Sequence, residues 1–234
     1  MIICLETSTP VCSVALCDSG GTVALKESSE DKSHASGLTV FIEELLSGAG
    51  LMASDLEAVA VSKGPGSYTG LRIGVSTAKG IAYAASIPLI GVETTLSMFY
   101  GITDDLKRKY GIDEDSLLVP MLDARRMEVY YSILTSGGQV VREITAEIID
   151  EGSFKDLPDS GKVLIFGDGA SKCRQVLKRD NIVFADEFQI SAAYMYKPAF
   201  KSLRERHFED IAYFEPFYLK DFITSRPKKN ILGR

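Results

Sequence analysis

The sequence contains no tryptophan, only two histidines among its 234 residues, and no apolar run near the roughly 18 residues that a transmembrane helix needs. The first residues lack a basic stretch followed by an apolar one, so they predict no secretory signal peptide. The four cysteines form no CxxC pair, and their spacing indicates buried thiols rather than a disulfide framework. We therefore expect a cytoplasmic protein that does not enter a membrane.

An excess of positive charge is also lacking, because 26 lysines and arginines stand against 32 acidic residues and leave a net charge of −6. A protein that binds nucleic acid by itself would show a basic face or a high isoelectric point. The apolar content of 45% excludes a disordered chain. The length corresponds to one large domain or two small ones.

Alternation and helical periodicity predict the same pattern twice along the chain. The predicted strands are 2–6, 11–18, 22–28, 56–62, 88–92, 117–123, 127–136, 139–149 and 162–166, and the predicted helices are 36–49, 71–86, 94–110, 170–178 and a stretch from residue 191 that Pro198 kinks or divides. Each half starts with three meandering strands and continues with helices and further strands. The sequence thus predicts an α/β fold with duplicated βββαβα units, divided into residues 1–102 and 103–234.

Residues for a metal centre or a hydrolytic triad are scarce. A helical His-x3-His pair starting at His34 would need a second histidine where Leu38 stands, and the HExxH motif is absent. Ser67, in the glycine-rich segment 64–70, does not fit the GxSxG pattern of a nucleophile elbow. We therefore predict no metal site and no catalytic residue.

The glycine-rich segment 64–70 leads from a strand into a helix, and it lacks the GK[ST] ending of a phosphate-binding Walker loop. It fits either an anion-binding helix start or a tight connection. Small residues then recur every four positions, at Gly70, Gly74, Ala78 and Ala82. Such a stripe packs on the protein's own sheet or forms a subunit interface. The basic segment 226–234 is typical of a solvated tail, with RNA or partner contact as the alternative.

Several segments resemble one known family. Residues 63–74, KGPGSYTGLRIG, are similar to the signature of the bacterial TsaB (YeaZ) proteins. The segments 3–9, 123–130, 167–170 and 216–219 also resemble motifs of that family and occur in the family's order. The resemblance covers nearly the whole chain.

The resemblance implies the two-lobed fold of actin, sugar kinases and Hsp70. It also implies a function with TsaD and TsaE in attaching a threonylcarbamoyl group to N6 of adenosine 37 of tRNA. In that system the transfer takes place on TsaD, and we expect this chain to bind and activate TsaD without catalysis, to meet tRNA only through the complex and to dimerise when alone. The alternatives are an independent hydrolase or ATPase of the same fold, as the older glycoprotease label suggests, and a homodimeric binding module.

The resemblance also locates two candidate sites. A degenerate nucleotide cleft would use Thr7, Ser8, Thr9, Arg125, Gly167 and Gly169. Its first turn has no glycine and contains Pro10, which has no N–H to offer a phosphate, so we expect no cofactor. The partner interface would use Leu38, Ile42, Gly70, Gly74, Ala78 and Ala82, because TsaB proteins associate through first-lobe helices.

Overall fold

The computed structural model describes residues 1–29 and 33–220, with residues 33–36 in backbone only. The side chain of His34 and the basic segment 226–234 lie outside the described residues. None of the helices within these ranges has the length and apolar character needed to cross a bilayer.

The described residues form two five-stranded sheets with helices packed on them. The strands are β1 (Ile2–Glu6), β2 (Cys12–Asp18), β3 (Gly21–Ser28), β4 (Ala58–Gly64), β5 (Leu89–Glu93), β6 (Leu117–Asp123), β7 (Glu128–Thr135), β8 (Val140–Ile148), β9 (Val163–Phe166) and β10 (Ile182–Ala185). The helices are α1 (Ser33–Ala49), α2 (Tyr68–Ala85), α3 (Thr94–Tyr100), α4 (Asp104–Tyr110), α5 (Ala170–Cys173) and α6 (Tyr196–Glu205), with 3₁₀ turns at Ala53–Asp55 and Ala192–Met195.

The two sheets have the same topology. The first sheet runs β3-β2-β1-β4-β5 and the second runs β8-β7-β6-β9-β10. In each sheet three strands form an antiparallel meander, and two further strands add in parallel beside the first of them. This repetition confirms the predicted α/β class and its duplicated unit.

Both faces of the first sheet are covered, which explains why β1 is apolar without alternation. On one face α1 and α2 pack over Ile3 and Leu5. On the other face Ala192, Met195 and Ala199 pack over residues such as Ile2. The stretch 192–205 therefore returns to the first sheet, whereas the predicted division placed everything after residue 103 in the second lobe.

Helix α3 lies between the two sheets. Its Met98 joins Leu118, Leu122 and Phe166 of the second sheet in one apolar cluster. The predicted single helix 94–110 is interrupted after α3, and the hydroxyl of Thr103 accepts the N–H of Leu106 at 3.3 Å to start α4. The interruption lets α3 pack between the sheets while α4 stays at the surface.

Three smaller expectations are corrected. Strand β10 has only four residues, Ile182–Ala185, and was not predicted. The helix expected over 170–178 has a single turn, Ala170–Cys173. Pro198 stands in the first turn of α6, where its missing N–H costs no hydrogen bond, and the helical stretch changes from 3₁₀ to α at Tyr196 instead.

All six residues predicted for the partner interface are buried within this chain. Leu38, Ile42, Ala78 and Ala82 belong to the core between the helices and the first sheet. Gly70 and Gly74 are buried on the same side of α2. The small-residue stripe therefore brings α2 close to its own sheet, and we reassign these residues from a partner surface to the core of the first lobe.

We expect Ala78→Leu to destabilise the protein by about 1–3 kcal/mol, because the fully buried site has no room for three more carbon atoms. Ser76→Leu is the matched control, since Ser76 is exposed on the same helix. Urea unfolding followed by circular dichroism measures both variants. Equal midpoints for the two would contradict the burial of the stripe.

Candidate functional site

The candidate site lies where β1 and β4 end side by side. These strands are parallel, so their carboxyl ends meet at the same edge of the sheet. The chain leaves β1 through the turn formed by residues 7–10, and it leaves β4 through the glycine-rich segment that starts α2. These two connections carry most of the motif residues of the first lobe.

The glycine-rich segment is pressed against the turn. The N–H of Ser67 donates to the carbonyl oxygen of Ser8 at 2.6 Å. The hydroxyl of Thr7 donates to the carbonyl oxygen of Gly70 at 2.8 Å. Ser67 also caps α2 by accepting the N–H of Gly70 at 3.3 Å.

Glycine is required at two helical positions by close approach rather than by backbone angles. A Cβ atom at Gly70 would stand 2.0 Å from the carbonyl oxygen of Thr7, and one at Gly74 would stand 2.3 Å from its Oγ1. Either contact would push α2 away from the turn. The segment thus serves as the tight connection that was one of its two sequence interpretations.

The backbone N–H groups of the first two turn residues point to acceptors inside the protein. The N–H of Ser8 donates to Glu6 Oε1 at 2.7 Å, and the N–H of Thr7 points to Ser62 Oγ at 3.4 Å. Thr7, Ser8 and Thr9 are at most 4% exposed. These three predicted cleft residues are therefore buried, and the 64–70 segment lies directly against Thr7 and Ser8.

The corresponding turn of the second lobe is open. Arg125 is exposed with a φ of 71°, a left-handed conformation, and its N–H donates to Asp123 Oδ1 at 3.1 Å. Lys172 forms an ion pair with the same carboxylate. Gly167 and Gly169 lie against the backbone of residues 121–123. The N–H of Gly169 donates to the carbonyl oxygen of Met121 at 3.1 Å.

The six predicted cleft residues thus form two groups, one at the carboxyl end of each sheet. The segment 216–220, which sequence analysis did not place in the site, reaches from one group to the other. The N–H of Phe217 donates to the carbonyl oxygen of Lys63 at 2.6 Å, and Lys220 forms an ion pair with Glu128. The motif at 216–219 was the sole sequence signal for it.

Glu6 is a fully buried carboxyl group at the end of β1. Burial raises its pKa, although hydrogen bonds from Ser8, Ser62 and Thr7 act in the opposite direction. Its Oε2 has no hydrogen-bond partner within the described part of the chain. Across the described residues, no three His, Cys, Asp or Glu side chains come together as a metal site.

Two duplicated α/β lobes with connections converging at the strand ends define the actin-like fold. The activator of the 2-hydroxyisocaproyl-CoA dehydratase from Clostridium difficile, solved with bound ADPNP, has a similar fold, with a TM-score of 0.52, 11% identity and coverage of 88% of this chain and 96% of that one. YeaZ from Pseudomonas aeruginosa is more similar, with a TM-score of 0.77, 23% identity and coverage of 93% and 99%.

Comparison of sequences shows the family to which this chain belongs. The family model of the tRNA N6-adenosine threonylcarbamoyltransferase TsaD matches residues 23–222. The tRNA threonylcarbamoyladenosine biosynthesis protein TsaB of Escherichia coli is 30% identical over 232 residues, which cover 95% of this chain and 96% of that protein. The chain belongs to the TsaB (YeaZ) family of tRNA threonylcarbamoyladenosine biosynthesis proteins, as its motifs indicated.

We expect Glu6→Gln to remove a pH-dependent loss of stability. Since burial raises the pKa of Glu6, the unfolded chain releases this proton at a lower pH than the folded chain. The contribution of Glu6 to the free energy of unfolding is fully present below about pH 4.3, the pKa of a glutamate in an unfolded chain. It is lost as pH rises through the higher pKa that Glu6 has in the folded chain. Glutamine keeps the oxygen that accepts the Ser8 N–H.

Urea unfolding at a series of pH values tests this expectation. The stability advantage of Glu6→Gln over wild type should grow as pH rises from about 4 to about 8. The exposed Glu43, on α1, supplies the control variant Glu43→Gln. An advantage that does not change with pH would contradict the raised pKa.

Proposed function

We propose that this chain is a non-catalytic subunit that binds and activates TsaD in the threonylcarbamoylation of N6 of adenosine 37 of tRNA. Membership of the TsaB family supports a role in this modification. The absence of a catalytic role is argued from the residues of the first-lobe turn. TsaE is the further protein component that the family resemblance implies.

The internal hydrogen bonding of two N–H groups in the buried 7–10 turn is the observation that carries the proposal. In actin-like ATPases, backbone N–H groups of such a turn hold the nucleotide phosphates. Here the N–H groups of Thr7 and Ser8 point to Ser62 and Glu6, and Pro10 has none. A phosphate at this turn would also have to displace the 64–70 segment, at the cost of the Ser67–Ser8 hydrogen bond.

The partner surface would be the solvent side of α1 and α2, because the inner side is occupied by the core. Val40 on α1 is 45% exposed and Tyr83 on α2 is 79% exposed. Arg72 is also exposed on α2. Exposed tyrosine and arginine are the residue types that contribute most to protein interfaces. The same surface would serve a homodimer and TsaD in alternation.

Reconstitution of the modification tests the role. We expect TsaD and TsaE with ATP, threonine, bicarbonate, the adenylate-forming enzyme and tRNA to form the modified base only when this chain is added. ATP turnover by the chain alone, measured in parallel, should stay at background. Robust turnover by the isolated chain would favour the alternative of an independent ATPase, and full modification without the chain would refute the proposal.

We expect Tyr83→Ser to weaken TsaD binding about tenfold or more, because an exposed aromatic at an interface centre typically contributes more than 1 kcal/mol. Ile148→Ser is the matched control, since Ile148 is 67% exposed at the edge strand β8 of the other lobe. Calorimetric titration measures both affinities. Equal binding by both variants would place the interface elsewhere.

A further inference from the structure

We propose that Thr7 is a positioning residue that holds the first turns of α2 in place and thereby aligns the partner surface on that helix. This inference rests on the proposed function, because it assumes that α2 binds TsaD. It assigns to Thr7 a role other than the nucleotide contact that the family's fold suggests.

The side chain of Thr7 fits a notch in α2. Its hydroxyl donates to the carbonyl oxygen of Gly70 at 2.8 Å. Its Oγ1 also occupies the space in which a Cβ atom of Gly74 would stand, at 2.3 Å. One hydroxyl group therefore contacts two successive turns of the helix.

Thr7 also contacts the strand that lies beside β1. It follows directly after β1, is fully buried, and its N–H points to Ser62 Oγ on the neighbouring strand β4. Its own carbonyl oxygen faces Gly70, where a Cβ atom would come within 2.0 Å. The residue thus connects the two central strands of the first sheet to α2.

The hydrogen bond from Thr7 is not needed to satisfy the backbone of α2. In an α-helix the carbonyl oxygen of residue 70 also accepts the N–H of residue 74. Removing the hydroxyl therefore leaves no unpaired carbonyl group, and valine has nearly the shape of threonine. The substitution Thr7→Val removes the link between turn and helix, and because its methyl group cannot stay at the hydrogen-bond distance from the Gly70 oxygen, the helix start must move slightly away.

The experiment compares three variants in the full-length chain. Thr7→Val removes the hydroxyl, Thr7→Ser keeps it without the methyl group, and Thr94→Val is the matched control. Thr94 is fully buried in the same lobe, and its Oγ1 has no hydrogen-bond partner in the described part of the chain. TsaD affinity is measured by calorimetry, and amide hydrogen exchange is followed over residues 68–76.

We expect Thr7→Val to bind TsaD about fivefold to tenfold more weakly, the scale of one buried hydrogen bond, and to exchange faster over residues 68–76. Thr7→Ser and Thr94→Val should stay within about twofold of wild type in both measurements. Wild-type affinity of Thr7→Val, or a loss of affinity in Thr7→Ser, would overturn the proposal. If Thr7→Val does not fold, Thr7→Ala, which removes the hydroxyl without adding bulk, takes its place with the same expected losses and the same overturning result.

The two proposals fail in different ways. If the wild-type chain does not bind TsaD, the proposed function fails, and the hydrogen exchange of Thr7→Val still shows whether the hydroxyl holds α2. If wild type binds TsaD and Thr7→Val matches it in affinity and exchange, only the role of Thr7 fails.

Discussion

The first lobe depends on one close contact between backbones, that of the 7–10 turn with the start of α2. The carbonyl oxygens of Thr7 and Ser8 both face the start of α2. The oxygen of Thr7 lies so close to Gly70 that only glycine fits there, and the oxygen of Ser8 accepts the N–H of Ser67. Because α2 cannot move outward without breaking this contact, its inner side is fixed over the sheet. Ala78 and Ala82, further along α2, are buried in the core between the helix and the sheet.

The two lobes share one topology but differ in whether the turn after their first strand is covered. In the first lobe the connection after β4 leads into an eighteen-residue helix and covers the turn after β1. In the second lobe the connection after β9 leads into a four-residue helix and leaves the turn around Arg125 exposed. The first-lobe turn is therefore buried against protein atoms, whereas the second-lobe turn faces solvent.

Local sequence patterns predict most of this fold because the central strands are short apolar runs bounded by turn residues and the long helices have a clear period. The duplicated order could be inferred, as could the missing donors at Pro10. Whether the small-residue stripe on α2 faces the protein's own sheet or another subunit could not be inferred, because small residues suit both contacts equally well. The return of residues 192–205 to the first sheet was also beyond sequence reasoning, since a helix's apolar side does not say which of two similar sheets it covers. Strand β10 is too short to show alternation.

Helix α3 has a consequence for how the molecule unfolds. Its Met98 belongs to the core of the second sheet although the helix follows directly from the first, and the first sheet in turn needs residues 192–199 from the end of the chain. Neither half can therefore keep its apolar residues covered once the other has opened. We therefore expect the two repeats to unfold together, and a chain cut between them would separate each core from residues that complete it.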